Sequence, residues 1–541
     1  MGATVTEPVI HMVAMRDGVR IAVAVYKQPG VVAPALLAAS PYRFDNNVLP
    51  DGPQFLWRET GPIDFYVAQG YAYVAMDLRG CGRSEGEFEF LGPDEIEDIC
   101  EIVTWLSEQD WCNGRVGGIG QSYFCMTQWL VGARNPRGLA CLAAHDGMND
   151  PYRASVYQGG IPGDFFPGYW WHQNRVINRV PANGQHPREQ ATDLGRLIGE
   201  HPTYDDFWRA RTAFERLEEI RVPVFCSGVW AKHQLHTRGA IEGFARVAGP
   251  KRLRMSGAPN AWAANAEYGS DSFHRDVLLP FFDLYLKGID TGWERGPAVQ
   301  YQVRGAQLMR TAESWPPAGV SMRALYLSAE ASGGVVSLND GTLADAPAGG
   351  AESTQYRYPV EGCTAGVVGM GPNGMLDPAR RVITFSTPPL AADLEIAGPI
   401  HLVLYAASSR EDTDFFVKLM DGPGAPAGAV NPPAECVSRG WLRASHRALD
   451  GARSTEHVPY HTHSAPSPIV PGEVVRYDIS IEPQAYRFAA GRRIRLELAV
   501  GDSPVTEALW GHLYEPNKIG VDTFFHADGR QSVLYLPVMS G

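Results

Sequence analysis

Residues 115–130 read RVGGIGQSYFCMTQWL and place Ser122 at a sharp corner of the chain. An apolar strand ends at Ile119, Gly120 follows, and the residues from Tyr123 onward have the pattern of a helix. A serine on such a strand-to-helix turn is lifted out of the backbone, and the first amides of the helix point at one spot in front of it. The corner therefore predicts an attacking hydroxyl with donors for the oxyanion that its attack creates, although Gly-x-Ser also occurs by chance.

Buried strands alternate with helical stretches on both sides of this corner. Strands are predicted at 34–40, 70–77 and 139–144, and an amphipathic helix at 93–108. This alternation predicts a parallel sheet that is covered on both faces and binds its ligands beyond the carboxyl ends of the strands.

The chain changes character twice after these strands. Residues 150–220 are rich in aromatic residues, proline and histidine, which predicts a helical cap over the active edge. From about residue 306, short strands separated by glycine and proline turns predict a β-sandwich. The expected domains are an α/β core formed by 1–149 and 221–305, a cap at 150–220 and a sandwich at 306–541.

Composition limits the class of partner. The 541 residues carry a formal net charge of -13 without a basic block, which excludes nucleic acid and anionic membrane surfaces as expected partners. No apolar run approaches the roughly 20 residues that span a bilayer, and the first residues lack the features of a secretory signal, so a cytoplasmic protein is expected. The eight cysteines contain no C-x-x-C pair, and no metal site or cofactor is predicted. A small molecule is the expected partner, and a homodimer is a candidate assembly.

A series of short motifs runs in order along nearly the whole chain. They are Met15-Arg16-Asp17-Gly18, Pro41-Tyr42, Asp77-Leu78-Arg79-Gly80, Ser84-Glu85-Gly86, Trp111-Cys112-Asn113-Gly114, Gly120-Gln121-Ser122-Tyr123, Asp412-Thr413-Asp414-Phe415, the segment 438–445 and Pro471-Gly472. Together they resemble the cocaine-esterase and X-Pro dipeptidyl-peptidase family. The resemblance implies an α/β-hydrolase core with a helical cap, a C-terminal jelly-roll domain and serine-hydrolase chemistry.

The resemblance also implies roles for three residues. Ser122 matches the nucleophile, while the Tyr123 amide and the Tyr42 hydroxyl match the oxyanion hole. Taken alone, Tyr42 is equally well explained as a core phenol with one hydrogen bond.

The rest of the family's catalytic triad is missing. Its acid belongs in a segment that here reads GVWAKH over 228–233, with Ala231 at the acid position. Its histidine belongs in a segment that here reads SGAPNAWAAN over 256–265 and contains no histidine. Because a serine hydroxyl needs a base that is oriented by an acid, these two departures leave the proton acceptor unidentified.

One interpretation is a triad rebuilt from other positions. His233 and His236 follow the strand that normally offers the acid, and Asp146 follows the strand after the nucleophile, so the order of these strands allows an Asp146–His233–Ser122 relay. The alternative interpretation is that the histidines are ordinary polar loop residues and that Asp146 is a turn residue. Other candidate bases are His145, His172 and His274.

The alternative is that the pocket survives without ordinary hydrolysis. Such a protein would catalyse a lyase, cyclase or acyl-transfer reaction at a carbonyl, or would only bind a small molecule. Hydrolysis of an ester, amide or related carbonyl of a small organic molecule remains the first expectation. Residues predicted to line its substrate site are Trp170, Trp171, His172 and Trp230.

Overall fold

A mostly parallel sheet forms the N-terminal part of the computed structural model. The described residues are 7–45, 59–179, 190–347, 349, 352–358, 380–424, 434–501, 511–512, 515–527 and 529–540. The strands up to residue 312 are β1 (Val9–Ala14), β2 (Arg20–Tyr26), β3 (Ala33–Ser40), β4 (Ala72–Asp77), β5 (Cys112–Gly118), β6 (Leu139–His145), β7 (Tyr157–Gln158), β8 (Ile161–Pro162), β9 (Val224–Val229), β10 (Lys251–Ser256), β11 (Val299–Val303) and β12 (Leu308–Ala312).

Within the described residues, ten of these strands form one sheet in the order β1-β2-β4-β3-β5-β6-β9-β10-β11-β12, and β7 pairs with β8 outside it. The run from β4 through β3, β5, β6, β9 and β10 to β11 is parallel, whereas β1, β2 and β12 pair in antiparallel fashion. Every residue of β3 and β4 is buried, as expected for strands with helices on both faces.

Helices cover both faces of this sheet. They are α1 (Ile63–Ala68), α2 (Pro93–Ser107), α3 (Tyr123–Arg134), α4 (Trp171–Arg179), α5 (Leu194–Gly199), α6 (Asp206–Arg211), α7 (Thr237–Arg246), α8 (Ala261–Tyr268), α9 (Asp271–Phe273) and α10 (Leu279–Phe282). The longest, α2, begins with Pro93 at its first position and two acidic residues in its first turn, both of which favour a helix start. None of the described helices is long and apolar enough to cross a membrane.

The chain between β6 and β9 is inserted into the sheet topology. It contains α4, α5 and α6 together with π-helical turns at Tyr152–Val156 and Phe165–Trp170. This insertion falls at the position where the sequence predicts a helical cap.

A second sheet follows the first. Its strands are β13 (Val320–Ser328), β14 (Ser337–Ala344), β15 (Ser353–Tyr358), β16 (Arg380–Ser386), β17 (Leu394–Ser408), β18 (Asp414–Gly422), β19 (Glu435–Arg443), β20 (Val475–Phe488), β21 (Arg493–Ala499), β22 (Gly520–Phe525) and β23 (Val533–Met539). The long β17 pairs with β20, β22 and β23, so the sheet folds back on itself around its own apolar core. This architecture confirms the predicted α/β core followed by a β-sandwich, although β12 still pairs with the first sheet and the second begins at Val320.

Candidate active site

Ser122 lies at the corner between β5 and α3 in a strained conformation. Its φ of 62° and ψ of -120° are rare for a residue other than glycine. Gly120 has a φ of 121°, and a Cβ there would come within 2.4 Å of the Phe124 Cβ. The Ser122 amide donates a hydrogen bond of 3.0 Å to the carbonyl of Asp146. The corner thus has the geometry of a nucleophile elbow at the carboxyl edge of the sheet.

Tyr42 lies beside Ser122, two residues after the end of β3. The residue is only 2% exposed, and its hydroxyl interacts with the side chain of Ser122, which lines the same cavity. Burial raises the pKa of this phenol well above its usual value, and the nearby Glu59 carboxyl raises it further. Tyr42 therefore stays protonated and can serve as a neutral hydrogen-bond donor beside the nucleophile.

The amide and the phenol of Tyr123 have different surroundings. The phenol donates to Glu95 Oε1 over 3.0 Å and accepts from the Leu91 amide over 2.9 Å. The amide occupies the first position of α3, where helix geometry supplies no intrahelical acceptor. The amide is thus the group of Tyr123 that can bind an oxyanion.

His236 contacts the nucleophile directly. Its Nε2 lies 3.1 Å from Ser122 Oγ, and the residue is 2% exposed just before α7. Burial lowers the pKa of this imidazole to about 3, with Asp146 opposing and Lys232 adding to the effect. The buried Nδ1 has no hydrogen-bond partner among the described residues. His236 is therefore a neutral but poorly oriented neighbour of Ser122.

Two hydrogen bonds of His233 join it to groups other than the nucleophile, and the relay through it stays a prediction. Its Nδ1 is 3.2 Å from the carbonyl of Trp230, and Arg439 of β19 donates to its Nε2 over 3.2 Å. The chain winds tightly after β9, where the His236 amide donates to the Lys232 carbonyl over 2.8 Å. That turn carries His236, three residues later, to the active edge.

The other candidate bases have roles elsewhere. His145 Nδ1 is 2.8 Å from Ser227 Oγ, and His274 Nδ1 is 2.9 Å from the Tyr66 hydroxyl. His172 is exposed on α4. None of these hydrogen bonds joins a histidine to the nucleophile.

The carboxylate of Asp146 pairs with a lysine and not with a histidine. Its Oδ2 accepts hydrogen bonds from Lys232 Nζ and, over 2.9 Å, from Gln121 Nε2. Asn265 Oδ1 accepts from the same two donors over 2.9 and 2.8 Å. Burial opposes ionisation of Asp146, but Lys232 outweighs it and the pKa of the carboxyl is lowered. A buried ion pair with two amides thus forms the floor of the site.

Sequence reasoning did not identify Lys232 or Asn265 as site residues. In the sequence, both residues lie next to positions where the family has its triad residues. Lys232 follows Ala231 at the acid position, and Asn265 ends the segment that lacks the histidine. Their pairing with Asp146 depends on tertiary contacts that no local motif records.

Glu59 is the third site residue without a sequence signal. It is 7% exposed, its side chain interacts with that of Ser122, and its Oε2 has no hydrogen-bond partner among the described residues. Burial raises the pKa of this carboxyl to about 8 although Lys232 lowers it in part. In the sequence, Glu59 belongs to none of the motifs described above, and a glutamate there is interpreted as an ordinary surface residue.

One small cavity of about 130 Å³ is lined by seven of these residues, namely Tyr42, Glu59, Ser122, Tyr123, Lys232, His236 and Asn265. Its apolar wall consists of Phe165, Phe166, Tyr169, Trp170 and Trp262 together with Met126 and Leu235. Of the four residues predicted to bind substrate, Trp170 lines the cavity, whereas Trp171, His172 and Trp230 are not among its lining residues. The described residues hold no group of three or more His, Cys, Asp or Glu side chains that could bind a metal ion.

Two family models match the chain. The model described as X-Pro dipeptidyl-peptidase (S15 family) matches residues 17–259, which include every polar site residue except Asn265. The model described as X-Pro dipeptidyl-peptidase C-terminal non-catalytic domain matches residues 291–514.

Individual relatives extend over almost the full length. A Mycobacterium bovis protein provisionally named as a serine esterase is 28% identical over 580 residues, covering 91% of this chain and 90% of the relative. The cocaine esterase of Rhodococcus sp. is 27% identical over 555 residues, with the same shares covered. A solved structure of a CocE/NonD family hydrolase from Staphylococcus aureus superposes with a TM-score of 0.81 at 24% identity, covering 98% of this chain and 93% of that one. This last likeness supports the fold.

Proposed function

The chain belongs to the X-Pro dipeptidyl-peptidase family of serine hydrolases, which act on ester or amide bonds, and we propose that Ser122 is its nucleophile. The observation that carries this proposal is the position of the Ser122 hydroxyl on a strained elbow, with His236 Nε2 hydrogen-bonded to it and the Tyr42 hydroxyl beside it. Two polar groups converge on a single cavity-facing oxygen, which is the arrangement that acyl transfer requires.

In the proposed reaction, Ser122 Oγ attacks the carbonyl carbon of the substrate. The carbonyl oxygen becomes negative and accepts hydrogen bonds from the Tyr42 hydroxyl and the Tyr123 amide. The intermediate then collapses, the leaving group departs with a proton, and water releases the acyl group from Ser122. Two groups next to Ser122 Oγ could hold the serine proton, namely His236 and Glu59.

The cavity indicates the class of substrate. Its volume of about 130 Å³ is well below that of pockets that hold drug-sized ligands, roughly 300–1,000 Å³. Its apolar lining comes mostly from aromatic residues of the cap, and its polar lining includes Ser122, Glu59 and His236. We therefore propose an ester or amide with a compact apolar acyl group as substrate. The cytoplasmic location and the homodimer remain predictions.

The test is active-site labelling with a fluorophosphonate, read as the mass of the intact protein, alongside turnover of p-nitrophenyl acetate. Wild type should gain one label and turn over the ester, whereas Ser122→Ala should do neither. Ser272→Ala, which removes an exposed serine outside the cavity, is the matched control and should behave as wild type. A well-folded wild type that neither labels nor turns over would contradict the proposal and favour non-hydrolytic carbonyl chemistry or ligand binding alone.

A further inference from the structure

Glu59 is held against the nucleophile by the backbone as well as by its side chain. Its carbonyl accepts a 2.9 Å hydrogen bond from the amide of Gln121, the residue before Ser122. Its carboxyl group lines the same cavity as Ser122 and interacts with the Ser122 side chain, and its Oε2 has no hydrogen-bond partner among the described residues. The carboxyl is thus in direct reach of the reacting hydroxyl, with one oxygen still able to accept a hydrogen bond.

His236 is less suited to take the serine proton. In a Ser-His-Asp triad, a carboxylate holds the second ring nitrogen and stabilises the imidazolium that forms. Here the described residues provide no hydrogen-bond partner for His236 Nδ1; Asp146 Oδ1 has none either, and the Asp146 carboxylate is bound through its Oδ2 by Lys232 and Gln121. Protonating His236 would therefore create a buried cation without a hydrogen-bonded counterion.

We propose that the Glu59 carboxylate is the general base that takes the proton of Ser122. This inference rests on the proposed serine chemistry. The Ser122 O–H proton moves to a Glu59 oxygen while Oγ bonds to the carbonyl carbon and the C=O electron pair moves onto oxygen. As the bond to the leaving group breaks, the protonated Glu59 returns the proton to that group. In the second half, water gives its proton to Glu59, and Ser122 Oγ recovers one when the acyl bond breaks.

The surroundings of Glu59 suit this task. Desolvation favours its protonated form and raises its pKa to about 8, while the charge of Lys232 lowers the pKa and that of Asp146 raises it. Tyr42, Tyr268 and His236 also lie near it and are neutral at physiological pH. A base is most effective when its pKa lies near the working pH, which holds for Glu59 and not for a histidine with a pKa of about 3.

The pH dependence of kcat/KM distinguishes the two bases. With Glu59 as the base, kcat/KM for p-nitrophenyl acetate should rise about tenfold per pH unit below pH 8 and level off above it. With His236 as the base, the profile should be flat between pH 6 and 9, since His236 stays deprotonated throughout that range. Glu59→Gln should lower the plateau value of kcat/KM by roughly 10²–10⁴-fold and abolish its rise with pH. Glu59→Asp, which keeps a carboxylate, should restore part of the lost activity.

Glu242→Gln is the matched control, because Glu242 also has a pKa raised to about 8 by burial but does not line the cavity. This variant should keep the wild-type profile. A flat wild-type profile, or a folded Glu59→Gln variant with the wild-type profile, would overturn the role of Glu59. The pH profile of wild-type kcat/KM tests the role of Glu59 even if the Glu59→Gln variant fails to fold. Fluorophosphonate labelling separates the two proposals: a labelled wild type with a flat profile contradicts only the base, whereas an unlabelled and inactive one contradicts the nucleophile.

Discussion

Trp170 Nε1 donates a hydrogen bond of 3.0 Å to the phenolic oxygen of Tyr42. Trp170 ends a helical turn of the cap, whereas Tyr42 follows β3 of the core, so this bond joins the two parts at the active site. The indole also stacks on the ring of Tyr123, with 5.7 Å between ring centroids. The cap therefore orients the Tyr42 hydroxyl, the proposed oxyanion donor, in addition to lining the cavity.

Trp170→Phe tests this coupling, because it keeps an aromatic ring in the wall but removes the N–H group. One hydrogen bond contributes about 1 kcal/mol, so kcat for p-nitrophenyl acetate should fall roughly five- to tenfold with little change in KM. Trp171→Phe is the control, since this neighbouring indole does not line the cavity. Equal effects of the two variants would contradict a specific role for the Trp170 N–H group.

Tyr42→Phe should remove one of the two proposed oxyanion donors. Loss of such a donor costs about 2.7–4 kcal/mol of transition-state stabilisation, so kcat should fall roughly 10²–10³-fold. Tyr169→Phe is the matched control, because Tyr169 lines the same cavity on the cap side. Steady-state kinetics of both variants provide the measurement, and a Tyr42→Phe rate within threefold of wild type would exclude the oxyanion role.

The sequence predicts the fold and the nucleophile because both depend on local patterns. Alternating buried strands and helices specify the parallel sheet, and strand ends bring Tyr42, Ser122 and Asp146 to one edge. The Gly120-Gln121-Ser122 corner requires a positive φ at Gly120, which is a property of the residues themselves.

The groups around Ser122 Oγ could not be predicted in the same way. The choice between His233 and His236 depends on how the loop after β9 winds, which the spacing of two histidines does not determine. Glu59 and Lys232 reach the site through tertiary contacts from segments without a motif. Buried charges of this kind are recognised only when their partners are known.

Lys232→Met should destabilise the protein, because it leaves the Asp146 carboxylate buried without its cation. Lys232 is 8% exposed and Asp146 is fully buried, so the free energy of unfolding should fall by about 3–5 kcal/mol in urea denaturation at pH 7. Replacing both charges, as Lys232→Met with Asp146→Leu, should recover much of the loss. A single variant as stable as wild type would show that the pair is not needed for the fold.

Glu59 should also make stability depend on pH. Its pKa is raised from 4.5 to about 8 in the folded protein, so the unfolded chain loses this proton at a lower pH than the native state does. The contribution to stability is therefore fully present below about pH 4.5 and is lost as the pH rises through 8. Glu59→Gln lacks this titration and should gain stability relative to wild type between pH 5 and pH 8. Urea denaturation at several pH values measures the difference, and Glu87→Gln, at an exposed carboxyl, should show no comparable trend. A difference between Glu59→Gln and wild type that stays constant over this range would mean that the Glu59 carboxyl is not protonated in the native state.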